Sequence, residues 1–202
     1  MIHKSDTICA LATAYGQSGI GVIRVTGPLA KSISKKILHQ DLESRYAYYG
    51  NFFDDDNNLI DKGVAISFPG PNSYTGEDVV EFQGHGGISV IRKLLETIIS
   101  LDVRLAEPGE FTKRAFLNGK MDLVQAEAVQ DLIQSNSEES ALSAVRSLTG
   151  EFSEKVNQIL SELISLRVFV EATIDFSDEE IDFLESHEVS SKLHSLQERL
   201  LN

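Results

Sequence analysis

Hydrophobic and polar positions divide the chain into a first stretch of short alternating runs and a second stretch of helical periodicity. Apolar residues alternate or cluster over Thr7–Thr13 and Ile20–Thr26, predicting two strands joined by Ala14-Tyr15-Gly16-Gln17-Ser18-Gly19. Pro28 is placed to open a helix, with Ala30, Ile33 and Ile37 as its apolar stripe. Tyr46–Phe53 and Leu59–Phe68 flank the polar run Asp54-Asp55-Asp56-Asn57-Asn58, which reads as a hairpin with a solvated tip. That run lacks the glycine and distal glutamate of a calcium loop. A helix is predicted over Ile88–Ser100, buried through Val90, Leu94, Leu95, Ile98 and Ile99. A short strand at Val103–Ala106 and a helix at Glu110–Leu117, stopped by Asn118-Gly119, complete an α+β unit with helices on one side of its sheet.

From residue 120 onward the pattern is helical. Asp122 and Gln125 form a capping box. Beyond Ser137, Val145, Leu148, Phe152, Val156, Ile159, Leu163, Leu166 and Val170 recur every three or four residues, predicting a long amphipathic helix interrupted at most by Gly150. Ser177 and Glu180 form a further capping box, within a segment holding seven acids from Asp175 to Glu188. Acids gathered at a helix start favour its dipole, and metal binding would need convergent oxygens besides. The terminal LQERLLN stops in mid-pattern, so further chain is expected after it. The expected division is therefore an α+β domain over 1–119 and an all-α helical-bundle segment over 120–202.

Charge sharpens that division. Of the net −13, residues 1–119 contribute −2 (12 Lys+Arg, 14 Asp+Glu) and residues 120–202 contribute −11 (6 and 17). The acidic part is a poor match for a phosphate backbone, so an RNA partner is expected to meet another surface. No apolar run approaches a membrane span, and a single cysteine, Cys9, fits a reducing cytoplasm.

The most informative stretch is PGPNSYTGEDVVEFQGHGG, Pro69 to Gly87. Val80 and Phe82 point one way along its strand, and Glu81, Gln83 and His85 the other. Such a row is either the wetted face of a half-buried strand or the wall of a polar ligand site. The 202 residues contain no GxxxxGK[ST] loop, and GQSGIG joins two strands without opening a helix, so nucleotide binding through a P-loop is not expected. His85 with Ser73 or Ser89 lacks the context of a hydrolytic triad. A third reading is a folate-sized pocket. A carboxylate such as Glu81 accepts two N–H bonds from a pterin edge, while an anionic tail needs cations. Arg24, the odd charge in IGVIRV, supplies one such cation or instead pairs with a sheet acid such as Glu81.

FPGPNSYTGEDVVEFQGHGG, EPGEFTKRAFLNGKMDLVQAEAVQDLI and VEATIDFSDEEIDF, with the opening DTICALATAYGQSGIGVIRVTG, closely resemble the MnmE (TrmE) family of tRNA-modification GTPases. The resemblance covers that family's N-terminal domain and the first part of its helical domain, not its G domain or its C-terminal cysteine tail. It implies a tetrahydrofolate-binding, aminomethyltransferase-like mixed sheet with helices that forms a homodimer and binds 5-formyltetrahydrofolate or a related reduced folate through Arg24, Glu81 and Lys120. It further implies work with the flavoprotein MnmG, adding an aminomethyl or carboxymethylaminomethyl group to the wobble uridine of certain tRNAs. Potassium, magnesium and GTP belong to the family's G domain, so this part is not expected to hydrolyse GTP. Where members often carry Gly-Gly before the second strand, this chain has Ser18-Gly19, which would alter the loop if a positive φ were needed there. Two other readings use the same residues: a structural dimerisation and docking module, and an independent folate-dependent methyltransferase.

Overall fold

The computed structural model describes residues 6–175 and 186–201. Two compact units result, Met1–Met121 and Asp122–Asn202.

The first unit is built on six strands: β1 (Ile8–Leu11), β2 (Ser18–Thr26), β3 (Tyr48–Phe53), β4 (Leu59–Phe68), β5 (Val79–Gly86) and β6 (Arg104–Leu105). Their order is β3-β4-β5-β2-β1-β6, antiparallel throughout except for the parallel β1–β6 pair. Alternation places Cys9, Ile23, Val25, Phe52, Ala65, Val80 and Phe82 in one core, under helices α1 (Ala30–Leu38) and α2 (Ile88–Ile99). Phe52 and Phe82 meet edge to face there, 5.7 Å between ring centres. Burial pushes the Cys9 thiol up to about 11. Helix α3 (Glu110–Leu117) departs from the one-sided arrangement expected, because its Phe111 reaches the Arg24 side of the sheet.

Several local expectations shift. The buried residues of α2 are Ile91, Leu94, Thr97 and Ile98, while Ile99 is exposed. Gly21 of β2 accommodates this face: a Cβ there would lie 2.4 Å from Ile91 Cδ1, so the missing side chain leaves room for Ile91. Asp54 is not part of a solvated tip. It is buried, its Oδ1 accepts the backbone N–H groups of Asp56 and Asn58, and its Oδ2 pairs with Lys93 at 2.9 Å. The Lys93 contact, aided by Asn58, holds its carboxyl down at about 2. Ser18 lies in β2 outside the positive-φ residues, so the Ser-Gly departure leaves that loop unstrained.

In the second unit, α4 (Leu123–Gln134) begins with the expected Asp122–Gln125 capping box. Gln125 also donates to the Leu148 carbonyl at the end of α5 (Glu138–Leu148), across an interface burying Ala128 and Ala144. The long helical pattern is two helices: Gly150, at φ +88°, separates α5 from α6 (Glu151–Asp175). Helix α7 (Ser186–Leu201) meets α6 around Leu166 and Leu196, and Arg199 reaches Glu162 at 2.6 Å. Phe152, Val156 and Leu163 of the predicted stripe stay about half exposed, at 54%, 46% and 48%. The Ser177–Glu180 capping box and most of the acidic segment lie outside the described residues. No helix among the described residues is long and apolar enough to cross a membrane.

Phe82→Ala removes a fully buried ring that holds both the Phe52 contact and the strand carrying Glu81. Urea denaturation is expected to show a loss of about 3–5 kcal/mol.

Candidate functional site

β2 and β5 set Arg24 and Glu81 directly opposite each other in antiparallel register. The pair forms on the sheet face away from the core: Arg24 Nε and Nη2 both donate to Glu81 Oε1, at 2.8 and 2.6 Å. Among the described residues Oε2 receives only the Gln83 side-chain amide, at 3.4 Å. The guanidinium also lies 5.3 Å from the Tyr74 ring centre and 6.0 Å from that of Phe111. Neither charge is fully sequestered, with 30% of the Arg24 side chain and 15% of Glu81 exposed.

Lys120 lies against the loop that carries Tyr74. Helix α3 ends with Lys120 N–H donating to the Ala115 carbonyl and Gly119 N–H to that of Phe116, with Gly119 at φ +66°. This double closure is the Schellman motif, and it fixes the backbone that launches the Lys120 side chain. The stem of Lys120 runs over Gly76: a Cβ at Gly76 would come within 3.3 Å of its Cγ and Cδ and 3.1 Å of Asn118 Cβ. Tyr74, Thr75 and Gly76 are consecutive, so one loop carries the ring beside Arg24 and the gap beneath Lys120. Asn118 clasps the loop by donating to the Thr75 carbonyl at 2.7 Å, and Tyr74 shares a hydrogen bond with Thr112 at 3.0 Å. Among the described residues Lys120 makes no ion pair.

What presses α3 against this loop is a charge network that the sequence pattern did not reveal. Arg114 is buried and contacts Asp6 (2.6 Å), Glu110 (3.1 Å) and Glu77 (3.1 Å). Arg104 grips both oxygens of Glu110 at 2.6 and 2.8 Å and bonds Asp6 at 2.7 Å. Glu77 accepts from Thr26, whose hydroxyl meets the buried Thr75 at 2.7 Å. Hydrogen bonding from Arg104, against burial, holds the Glu110 carboxyl at about 2. Burial disfavours the Arg114 charge, but Glu77 and Glu110 outweigh it and the guanidinium is raised overall. The one sequence signal was the i, i+4 spacing of Glu110 and Arg114.

His85 does not join Glu81. Asp61, with its side chain 9% exposed, accepts both the His85 backbone N–H (2.7 Å) and its ring Nδ1 (2.8 Å). Burial pushes the Asp61 carboxyl up, yet these bonds leave it below the usual range. A separate cavity of about 180 Å³, lined by Leu11, Tyr15, Gly21, Ile88, Ile91 and Leu95 among others, includes none of Arg24, Glu81 or Lys120.

Glu110→Gln is expected to destabilise the protein by about 3 kcal/mol at neutral pH, by stripping the buried Arg114 and the half-exposed Arg104 of a counter-charge. Because the folded pKa is depressed from its ordinary 4.5 to about 2, that contribution is complete above 4.5 and fades as pH falls toward 2. Denaturation of both proteins across this window should show their stabilities converging at low pH.

Comparison with known proteins adds the following. Residues 7–120 match the family model described as GTP-binding protein TrmE N-terminus, and residues 123–202 match the MnmE helical domain. A tRNA modification GTPase MnmE of Vesicomyosocius okutanii is 58% identical over 200 residues, covering 99% of this chain and 45% of the relative. Its counterpart in Ruthia magnifica is 59% identical over 198 residues, covering 98% of this chain and 44% of its own length. The Pseudomonas fluorescens protein of the same name is 51% identical over 200 residues, covering 99% and 44%. The chain thus spans less than half the length of these relatives.

Proposed function

The chain belongs to the MnmE (TrmE) family of tRNA modification GTPases, and on that premise we propose that its first unit binds a reduced folate through Arg24, Glu81 and Lys120. The observation that carries this reading is one loop, Tyr74–Gly76, that sets a ring beside the Arg24–Glu81 pair and lies under the stem of Lys120, which has no ion pair among the described residues. These groups suit the ligand chemically. Tyr74 and Phe111 offer faces to a flat heterocycle, Glu81 accepts from a guanidine-like edge, and the cations answer an anionic tail. Bound, the folate would supply a one-carbon unit. The protein's own part is to hold it.

In this proposal residues 1–119 form the folate-binding and dimerisation domain, and the helical part from residue 120 is a scaffold. The whole protein then acts as a homodimer in the cytoplasm with the flavoprotein MnmG, placing an aminomethyl or carboxymethylaminomethyl group on the wobble uridine of certain tRNAs. GTP hydrolysis, with its potassium and magnesium, is assigned to a G domain outside these 202 residues, which contain no P-loop sequence. The tRNA is proposed to avoid the helical part, whose net charge from residue 120 onward is −11.

One observation favours a second reading. Arg24 and Glu81 already satisfy each other, as they would in a docking module that binds no cofactor. Titration calorimetry with 5-formyltetrahydrofolate separates the two: saturable heat supports the folate site, and its absence leaves the docking module. Glu81→Gln is expected to weaken folate binding by about 10- to 100-fold through loss of a charge-assisted contact, with an unchanged circular dichroism spectrum. Unfolding of that variant would instead make Glu81 a structural partner.

A further inference from the structure

Arg45 holds a φ of +60°, a backbone conformation that strains an L side chain and that glycine adopts freely. Its N–H donates to the Ser67 carbonyl at 2.8 Å, where β4 leads into the loop Pro69–Asp78. From that pinned position the guanidinium reaches forward, and Nη2 donates to the Asn72 carbonyl. The leading half of the loop is poor in ties of its own. Pro69, Gly70, Pro71 and Asn72 are all exposed, and the two prolines have no N–H to give. Gly70 N–H donates to Asp78 at 2.9 Å, but that bond stays within the loop. The returning half is held from α3 and β2, by Tyr74 with Thr112, Thr75 with Asn118 and Thr26, and Glu77 with Arg114. Among the described residues, the hydrogen bond that Pro69–Asn72 receives from outside the loop is the one from Arg45.

We propose that Arg45 is a positioning residue for Tyr74 and, resting on the folate reading above, that it raises affinity for the heterocycle without touching it. Tyr74 follows Asn72 by two residues, and its ring centre stands 5.3 Å from the Arg24 guanidinium. A loop gripped on one half pivots about that half. Gripped on both, it presents the ring in one place before the ligand arrives, and the ordering cost is not charged to binding. The Asn72 bond is charge-assisted, and Arg45 forms no ion pair among the described residues that would draw its guanidinium away. Glycine at this position would relieve the backbone and lose the clamp, so substitution separates the two roles.

The chain contains no tryptophan, so Tyr74→Trp installs a single indole that reports on the loop. In that background Arg45→Ala and Arg45→Gly should both raise acrylamide quenching of the indole. Arg45→Lys, which keeps a cationic donor, should bring quenching back toward the native level. Calorimetry on 202-residue chains that keep Tyr74 supplies the second readout. Arg45→Gly should weaken 5-formyltetrahydrofolate and the tail-less 6-methyltetrahydropterin by the same factor, about 5- to 10-fold, with an unchanged circular dichroism spectrum. If Arg45→Gly leaves quenching and pterin affinity native, Arg45 only makes a turn and the proposal is overturned. A loss confined to the tail-bearing folate would make Arg45 a direct anion contact and overturn it as well. A native chain that takes up neither ligand removes the folate reading, while the quenching series still decides whether Arg45 fixes the loop. Where Arg45→Ala does not fold, Arg45→Gly, which suits the positive φ, carries the test.

Discussion

Arg114 holds the first unit's site in place. Its buried guanidinium touches carboxylates from the amino-terminal segment, from the turn before β5 and from its own helix. A desolvated cation is tolerated only where such partners surround it, so the three segments must arrive together. Glu77 extends the constraint to Thr26, and Thr26 to Thr75. The loop that carries Tyr74 and Gly76 is therefore tied down by charges that make no contact with the proposed ligand groups. Arg104 closes the ring by bonding both Asp6 and Glu110.

Two kinds of pairing coexist on this unit. In the Arg114 cluster Arg114 and Glu110 are buried while Arg104 and Asp6 cap them from the surface, and the many mutual contacts suit a structural role. The Arg24–Glu81 pair is partly exposed and bounded by rings, and among the described residues one carboxylate oxygen has only a long contact. Position in the sheet separates them: the cluster fills a corner where α3, β6 and the chain start converge, and the pair sits on the face opposite the core. Lys120 belongs to neither, being aimed by the closure of α3.

How far the sequence foretold this depended on the range of the interactions. The hairpin, helix α3 with its Asn-Gly stop, and the Asp122–Gln125 box are local signals, and all appear where the residues put them. Alternation in β5 correctly set Val80 and Phe82 against Glu81. The failures were non-local. Asp6 finds Arg114 across 108 positions, a distance no periodicity spans. The buried face of α2 includes Ile91, which packs over a glycine in a different strand, and Asp54 pairs with Lys93 of the following helix. Of the site itself, Arg24 and Glu81 were legible as charges in apolar strands, whereas Lys120 came only from family resemblance, since it lies past the end of a helix where no pattern marks it. Tyr74 and Phe111 were missed because each looks like an ordinary loop or helix aromatic until the chain folds.

Cys9, in the middle of β1 between two neighbouring strands, gives the unit an internal stopwatch. With no solvent exposure and a thiol that stays protonated in ordinary buffers, it is invisible to alkylating reagents while the sheet is closed. Any labelling at this sulfur therefore records an excursion in which the core between the sheet and its helices has opened, and the rate of modification reads out how often that happens.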